Sequence, residues 1–177
     1  MKKLIKVTAA VMAVLMCCAV FAACGGNTDT TPSGNNLSAA EPADVKTETW
    51  GNITVAVPDG MSLKGGSVVD EKDPDVVNIS KDDNAMNYFL ITINDDEDSV
   101  KDGIKMTREG NDGAKDISFD AGESWTGVSY DFSGTAVMQI YAEFNGRFAV
   151  VQSYGFTPDD DAAKSVLSSL KVAAKSE

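Results

Sequence analysis

The dipeptide Asn145-Gly146 constrains this chain more than any other feature. It sits between two long β-prone apolar runs, Val137 to Phe144 and Arg147 to Phe156. A two-residue link of this kind needs positive φ at both central positions, which Asn and Gly adopt at low cost. The two runs are therefore expected to fold back as an antiparallel hairpin with a type I′ turn. Pairing across that turn puts Met138, Ile140, Ala142 and Phe144 on one face with Arg147, Ala149 and Val151. Val137, Tyr141, Phe148, Val150 and Tyr154 fall on the other. Large apolar groups on both faces predict a central hairpin covered on both sides.

Further turns extend the hairpin. Ser133-Gly134 leads back to a strand over Trp125–Phe132, and Ala121-Gly122 leads from there to one over Lys115–Asp120. A four-stranded meander is expected. Upstream, Thr49–Val57 and Tyr88–Ile93 alternate as strands, and Val76–Ser80 reads as a short edge strand. A C-terminal helix is signed by Thr157 as N-cap, Pro158 in its first turn and Asp159, Asp160 and Asp161 at the positive end of its dipole. Ala163, Val166, Leu167 and Leu170 recur at helical spacing, with Lys164 and Lys171 expected in water. A second helix is expected over 98–109, docking Val100 and Ile104 on the sheet despite Gly103 within it. The fold class is α+β: an antiparallel meander with a C-terminal helix and one further helix packed on it.

The N-terminus has the layout of an export signal. Lys2, Lys3 and Lys6 precede an apolar run from Leu4 to Ala23, which ends in Phe21-Ala22-Ala23-Cys24-Gly25-Gly26. About 20 apolar residues also suffice for an uncleaved transmembrane helix. Small residues before Cys24 and a polar stretch after it favour cleavage. The run resembles the lipobox of bacterial lipoproteins, with Phe21 where an aliphatic residue is usual. The resemblance implies that residues 1–23 are a signal peptide and that Cys24 is diacylated as the first mature residue. Two acyl chains hold a protein on a membrane stably. Residues 24–46 read as the lipidated Cys and a flexible Gly/Asn/Thr/Ser tether, and 47–177 as a single domain of ordinary size.

Cleavage removes three lysines and no acid, so 15 Lys and Arg become 12 against 27 Asp and Glu, a net charge of −15 rather than −12. Such a surface lacks the basic footprint that nucleic acid requires. Cys17 and Cys18 leave with the signal, Cys24 is consumed by lipid, and the chain contains no histidine. Ser–His and Cys–His nucleophilic mechanisms are thereby excluded, and no cofactor or metal is expected.

Four acidic clusters were candidates for cation binding: 70–75, Asp82-Asp83, 95–98 and 159–161. An EF-hand template started at Asn94 aligns Asp96 and Asp98, then fails at Ser99 and Lys105. A solvated acidic surface is the expectation for all four. Lys64-Gly65-Gly66-Ser67 lacks the spacing of a phosphate-binding loop and reads as a turn. No carboxylate pair is singled out by spacing or by an apolar setting. The aromatics Trp50, Trp125, Tyr130, Tyr141 and Tyr154 could line a ligand groove, but in strands they are expected in the core; Trp125 is the first candidate exception because it opens a strand beside a turn.

The opening strand ending in Val57-Pro58-Asp59-Gly60-Met61, the long central hairpin and the closing Ser165-Val166-Leu167-Ser168-Ser169-Leu170-Lys171 resemble Mog1/PsbP-like domains, including DcrB-type lipoproteins. That resemblance implies a sandwich fold and non-catalytic binding or assembly work, and it transfers no site residues. The expected protein is a non-enzymatic, lipid-anchored, extracytoplasmic binding or assembly module. Its partners would be the membrane, through Cys24, and an envelope protein or small ligand, with the domain itself monomeric. The alternative is a carboxylate-dependent envelope hydrolase. Cys24-Gly25-Gly26 with a Ser/Thr/Asn tether resembles lipoproteins of Gram-positive bacteria, which implies the outer face of the cell membrane rather than a periplasm.

Overall fold

The structure is a computed structural model that describes residues 46–81 and 84–175. The expected signal peptide, Cys24, the tether up to residue 45 and the acidic pair at 82–83 lie outside the described residues.

Strands β1 (Thr47–Trp50) and β2 (Ile53–Ala56) form a hairpin, where the sequence predicted one strand over Thr49–Val57. The reason is local. Gly51 has φ +52°, and a Cβ there would lie 2.3 Å from the Pro74 carbonyl oxygen. The chain therefore reverses at Gly51-Asn52, and the Asn52 amide donates to the Pro74 carbonyl at 3.0 Å. Next come β3 (Met61–Gly65), which the sequence reading missed, β4 (Val76–Lys81) and β5 (Asn84–Asn94). Lys64 and Gly65, read as turn, end β3. The presence of β3 also moves β4 from the expected edge to an internal position, and β3 becomes the edge.

Helix α1 spans Glu97–Gly110. Asp96 caps it, accepting from the amides of Asp98 at 3.0 Å and Ser99 at 3.4 Å. The meander follows as expected: β6 (Lys115–Ala121), β7 (Glu123–Phe132), β8 (Thr135–Phe144) and β9 (Arg147–Tyr154). Asn145 and Gly146 have φ of +52° and +76°, as a type I′ turn requires. Helix α2 (Asp161–Ser169) starts later than predicted. Thr157 does not cap it; its amide and hydroxyl instead donate to Asp160 Oδ2, and Asp160 takes the N-cap position. Lys171 and Val172 form the short β10, outside the helix.

All strand pairs are antiparallel. A seven-stranded sheet runs β3-β4-β5-β9-β8-β7-β6, and a three-stranded sheet runs β1-β2-β10. The inner face of the large sheet carries Val77, Ile79, Phe89, Ile91, Met138, Ile140 and Val151, all buried. Ile53 and Val55 of the small sheet and Ala163, Val166 and Leu167 of α2 complete the same core. Burying a Val or Leu side chain contributes about 1.5–3 kcal/mol, so the closing helix is a substantial share of the stability. The described residues thus form a mostly antiparallel β-sheet fold with two helices, consistent with α+β. The opposite face of the large sheet meets α1, which lies over β7, β8 and β9 and buries Val100 and Ile104 there.

Candidate functional site

Strand register fixes which side chains share the outer face. Successive Cα partners form a cross-strand row of Tyr130, Val137, Tyr154, Tyr88, Ser80 and Ser62. Two residues along, the next row is Val128, Gln139, Gln152, Leu90, Asn78 and Lys64. Helix α1 sits on the β7–β9 part of this second row. The Thr107 hydroxyl reaches Gln139 Oε1, and Val128 beneath is fully buried.

The first row extends past the helix. Tyr88, Tyr130 and Tyr154 are half-buried, whereas Val137 between them is buried. The Tyr88 and Tyr154 rings stack at 5.8 Å between centroids, and Phe132 meets Tyr154 edge-on at 6.2 Å. Phe132 and Met86 are each 43% exposed at the margin. Burial, and secondarily the neighbouring Tyr154, push the Tyr130 phenol above its ordinary pKa. It therefore stays a neutral hydroxyl well into alkaline solution.

Coverage of both faces was the expectation for the β8–β9 hairpin. The inner face meets it, and on the outer face, where α1 contacts both strands, Val137 is buried and the other outward residues are half-buried or exposed. A 14-residue helix, about 21 Å long, cannot blanket seven strands spaced about 4.8 Å apart.

The aromatics singled out in the sequence divide accordingly. Tyr130, Tyr141 and Tyr154 share the outer face. Trp125, the candidate exception to the core expectation, is fully buried, packs on Phe144 at 5.9 Å and donates its indole N–H to the Ala121 carbonyl at 3.1 Å. The parity of β7 decides this: Trp125 points inward because it lies opposite Phe119 on the core side. Trp50 lies on the small sheet, donating to the Asp73 carbonyl at 2.8 Å, with its ring over Gly65. Tyr88, Phe132 and Met86 were not singled out. The alternation of Tyr88, Leu90 and Thr92 against Phe89, Ile91 and Ile93 was the available signal.

The acidic clusters prove less uniform than a solvated surface. Asp75 and Asp95, far apart in sequence, converge on Arg147. Its Nη2 donates to Asp75 Oδ2 at 2.9 Å and its Nε to Asp95 Oδ1 at 2.8 Å. Asn52 completes Asp75 at 2.8 Å, and Lys175 completes Asp95 at 2.5 Å. The Arg147 side chain is only 6% exposed, so a guanidinium occupies the place between these carboxylates where a cation would sit. Hydrogen bonds from Lys175 and Arg147 hold Asp95 below the usual carboxylate range. Those from Ser99, through its hydroxyl and amide, do the same for Asp96. Among the described residues no group of three or more carboxylate, thiol or imidazole side chains is arranged to hold a metal. No described helix is long and apolar enough to cross a membrane.

A cleft of about 460 Å³ opens where β10 meets the β8–β9 turn, lined by Glu123, Glu143, Phe144, Asn145, Leu170, Lys171 and Val172. Glu123 and Glu143 are among its lining residues. Elsewhere, Val68 and Val69 stand fully in solvent at the tip of the loop between β3 and β4. No protein-family model matches the chain, and no curated protein is significantly similar to it.

Proposed function

We propose that this chain is a lipid-anchored, extracytoplasmic binding module, held on the outer face of the cell membrane through Cys24 and built on a Mog1/PsbP-like sandwich. The anchor rests on the run Phe21-Ala22-Ala23-Cys24-Gly25-Gly26 and the polar tether behind it. The observation that carries the binding role is the outer sheet face, where the half-buried Tyr88, Tyr130 and Tyr154 lie beside Phe132, which is 43% exposed. Aromatic side chains with a polar tip suit such recognition, because each offers apolar area and a hydrogen-bonding group together. Binding demands only a shaped surface and a few donors, which this face supplies without a nucleophile or a base.

The rival reading, a carboxylate-dependent hydrolase, would use the Glu123–Glu143 cleft. Two experiments separate the parts. Replacing Cys24 with Ala should abolish palmitate labelling in the producing cell; label at the wild-type level would remove the anchor from the proposal. The purified protein should turn over no glycan, peptide or ester. Hydrolysis that disappears in Glu123→Gln or Glu143→Gln would replace the binding module with the enzyme.

A further inference from the structure

Asparagine followed by glycine occurs once in this chain, at Asn145-Gly146. Both residues are exposed at the tip of the β8–β9 hairpin, with φ of +52° and +76°. The strand ladder closes on the Phe144–Arg147 pair, so the Gly146 amide lies outside it. A Cβ at Gly146 would meet nothing within 4 Å, which leaves open space around this residue. The Asn145 side chain is held from the other direction. Its Nδ2 donates to the Val172 carbonyl at 2.9 Å and ties the turn to β10. That strand is only two residues long. It is kept in place by pairing with β2, by the buried Val172 side chain, and by the Ala173 amide donating to the Asn52 carbonyl at 2.8 Å.

We propose that Asn145 is a site of spontaneous deamidation, gated by its hydrogen bond to β10. The Gly146 backbone nitrogen attacks Asn145 Cγ, and the new C–N bond closes a five-membered succinimide. The side-chain nitrogen leaves as ammonia, taking up the proton that the Gly146 amide gives up. Water then opens the ring at either carbonyl, giving aspartate or, with the peptide bond moved onto the side chain, isoaspartate. One water is consumed and one ammonia released, and no oxidant or reductant is needed. Glycine hinders this attack least, because it has no side chain beside the nucleophilic nitrogen. The gate follows from the geometry. While Nδ2 is held on the Val172 carbonyl, the side chain is not free to swing Cγ onto the Gly146 nitrogen, so the reaction draws on molecules in which β10 has let go. The products then keep it open. Aspartate turns a carboxylate oxygen toward the Val172 carbonyl where a donor stood, and it adds a negative charge beside Glu123 and Glu143 in the lining of the same cleft. Isoaspartate lengthens the backbone between β8 and β9, which a two-residue turn does not accommodate.

The test incubates the full-length protein in detergent at pH 8.5 and 37 °C, with peptide mass mapping for the loss of amide and isoaspartyl methyltransferase labelling for isoaspartate. Both products should accumulate at position 145 while Asn78 and Asn111 keep their amides. Unfolding the chain in 6 M guanidinium chloride removes the gate and should speed conversion at position 145 by at least about tenfold. Ala173→Pro deletes one bond between β10 and β2 and no core side chain. It should speed conversion about two- to tenfold in native buffer, the factor that one net hydrogen bond makes in an opening equilibrium. Asn145→Gly, which suits the turn but has no side-chain amide, should leave this position unchanged in mass. Because Ala173→Pro could disturb more than β10, Asn145→Asp gives a second readout: hydrogen exchange at the Ala173 amide should be faster than in the wild type. An Asn145 that stays intact in the native protein, equal rates in native buffer and guanidinium, or unaltered Ala173 exchange in Asn145→Asp would overturn the proposal.

Discussion

Replacing Arg147 with Met should cost about 2–3 kcal/mol of stability, and the geometry says why it is neither more nor less. The guanidinium side chain is 6% exposed, whereas its partners Asp75 and Asp95 are 29% and 40% exposed. Removing one partner of a fully buried pair costs about 3–5 kcal/mol, because the other charge is stranded away from water. Here both carboxylates reach solvent and can rehydrate, so the stranding is incomplete. The charge-assisted hydrogen bonds to Asp75 and Asp95 are both lost, but Asp95 is more exposed and keeps Lys175, so the main loss is the bond to Asp75, worth about 1.5–3 kcal/mol. Methionine replaces most of the packing of the arginine stem. Against a total stability of about 5–15 kcal/mol this loss is readily measured. Urea unfolding at pH 7, followed by the fluorescence of Trp50 and Trp125, gives the value. Arg147→Lys should fall between the two, since one ammonium cannot span both carboxylates in the fork geometry. Lys175→Met, which removes a solvent-exposed bridge to Asp95, should leave the midpoint in place. A loss below about 1 kcal/mol for Arg147→Met, judged against that range, would refute the argument. So would a difference that vanishes in 1 M salt, where the screening length falls to about 3 Å.

Three further perturbations test other parts of the structure. Gly65→Ala places a Cβ 1.8 Å from Trp50 Cδ2, so the indole must leave its seat and its bond to the Asp73 carbonyl; a loss of about 1–3 kcal/mol with red-shifted Trp50 emission is expected, and unchanged emission would contradict the contact. Leu167→Ala, at 1% exposure on the buried side of α2, should cost about 2–5 kcal/mol in urea, and a near-neutral result would mean that the helix does not close the core. Because Asp95 and Asp96 are held below the ordinary aspartate range in the fold, their contribution is fully present above that range and is lost as pH falls through their lowered folded values. The urea midpoint should decline as pH falls below about 4, less so in Arg147→Met, and a flat profile would count against the pairing.

The meander was legible because its determinants are local. Asn145-Gly146 and Ser133-Gly134 take the positive φ their turns demand, and the alternation of Met138, Ile140 and Ala142 against Val137 and Tyr141 set the two faces before any partner was known. Val100 and Ile104 likewise fixed the buried side of α1. The candidate site was legible only in fragments. Tyr130 and Tyr154 stood out as aromatics in strands, but nothing local could put Tyr88 beside Tyr154, since their adjacency depends on pairing strands 66 residues apart in sequence.

Other outcomes belonged to the tertiary structure alone. The hairpin within Thr49–Val57 follows from Pro74 pressing on Gly51, a contact between loops. The parity of β7 turned Trp125 inward, and its burial came from the core it shares there with Phe144 and with Val166 and Leu167 of α2. Asp75 and Asp95 read as two solvated clusters until the fold brought Arg147 between them. Sequence periodicity states which side of an element is apolar, because that depends on residues two or four apart. Which apolar side stays accessible depends on where a helix of limited length comes to rest, and only the packed structure decides that.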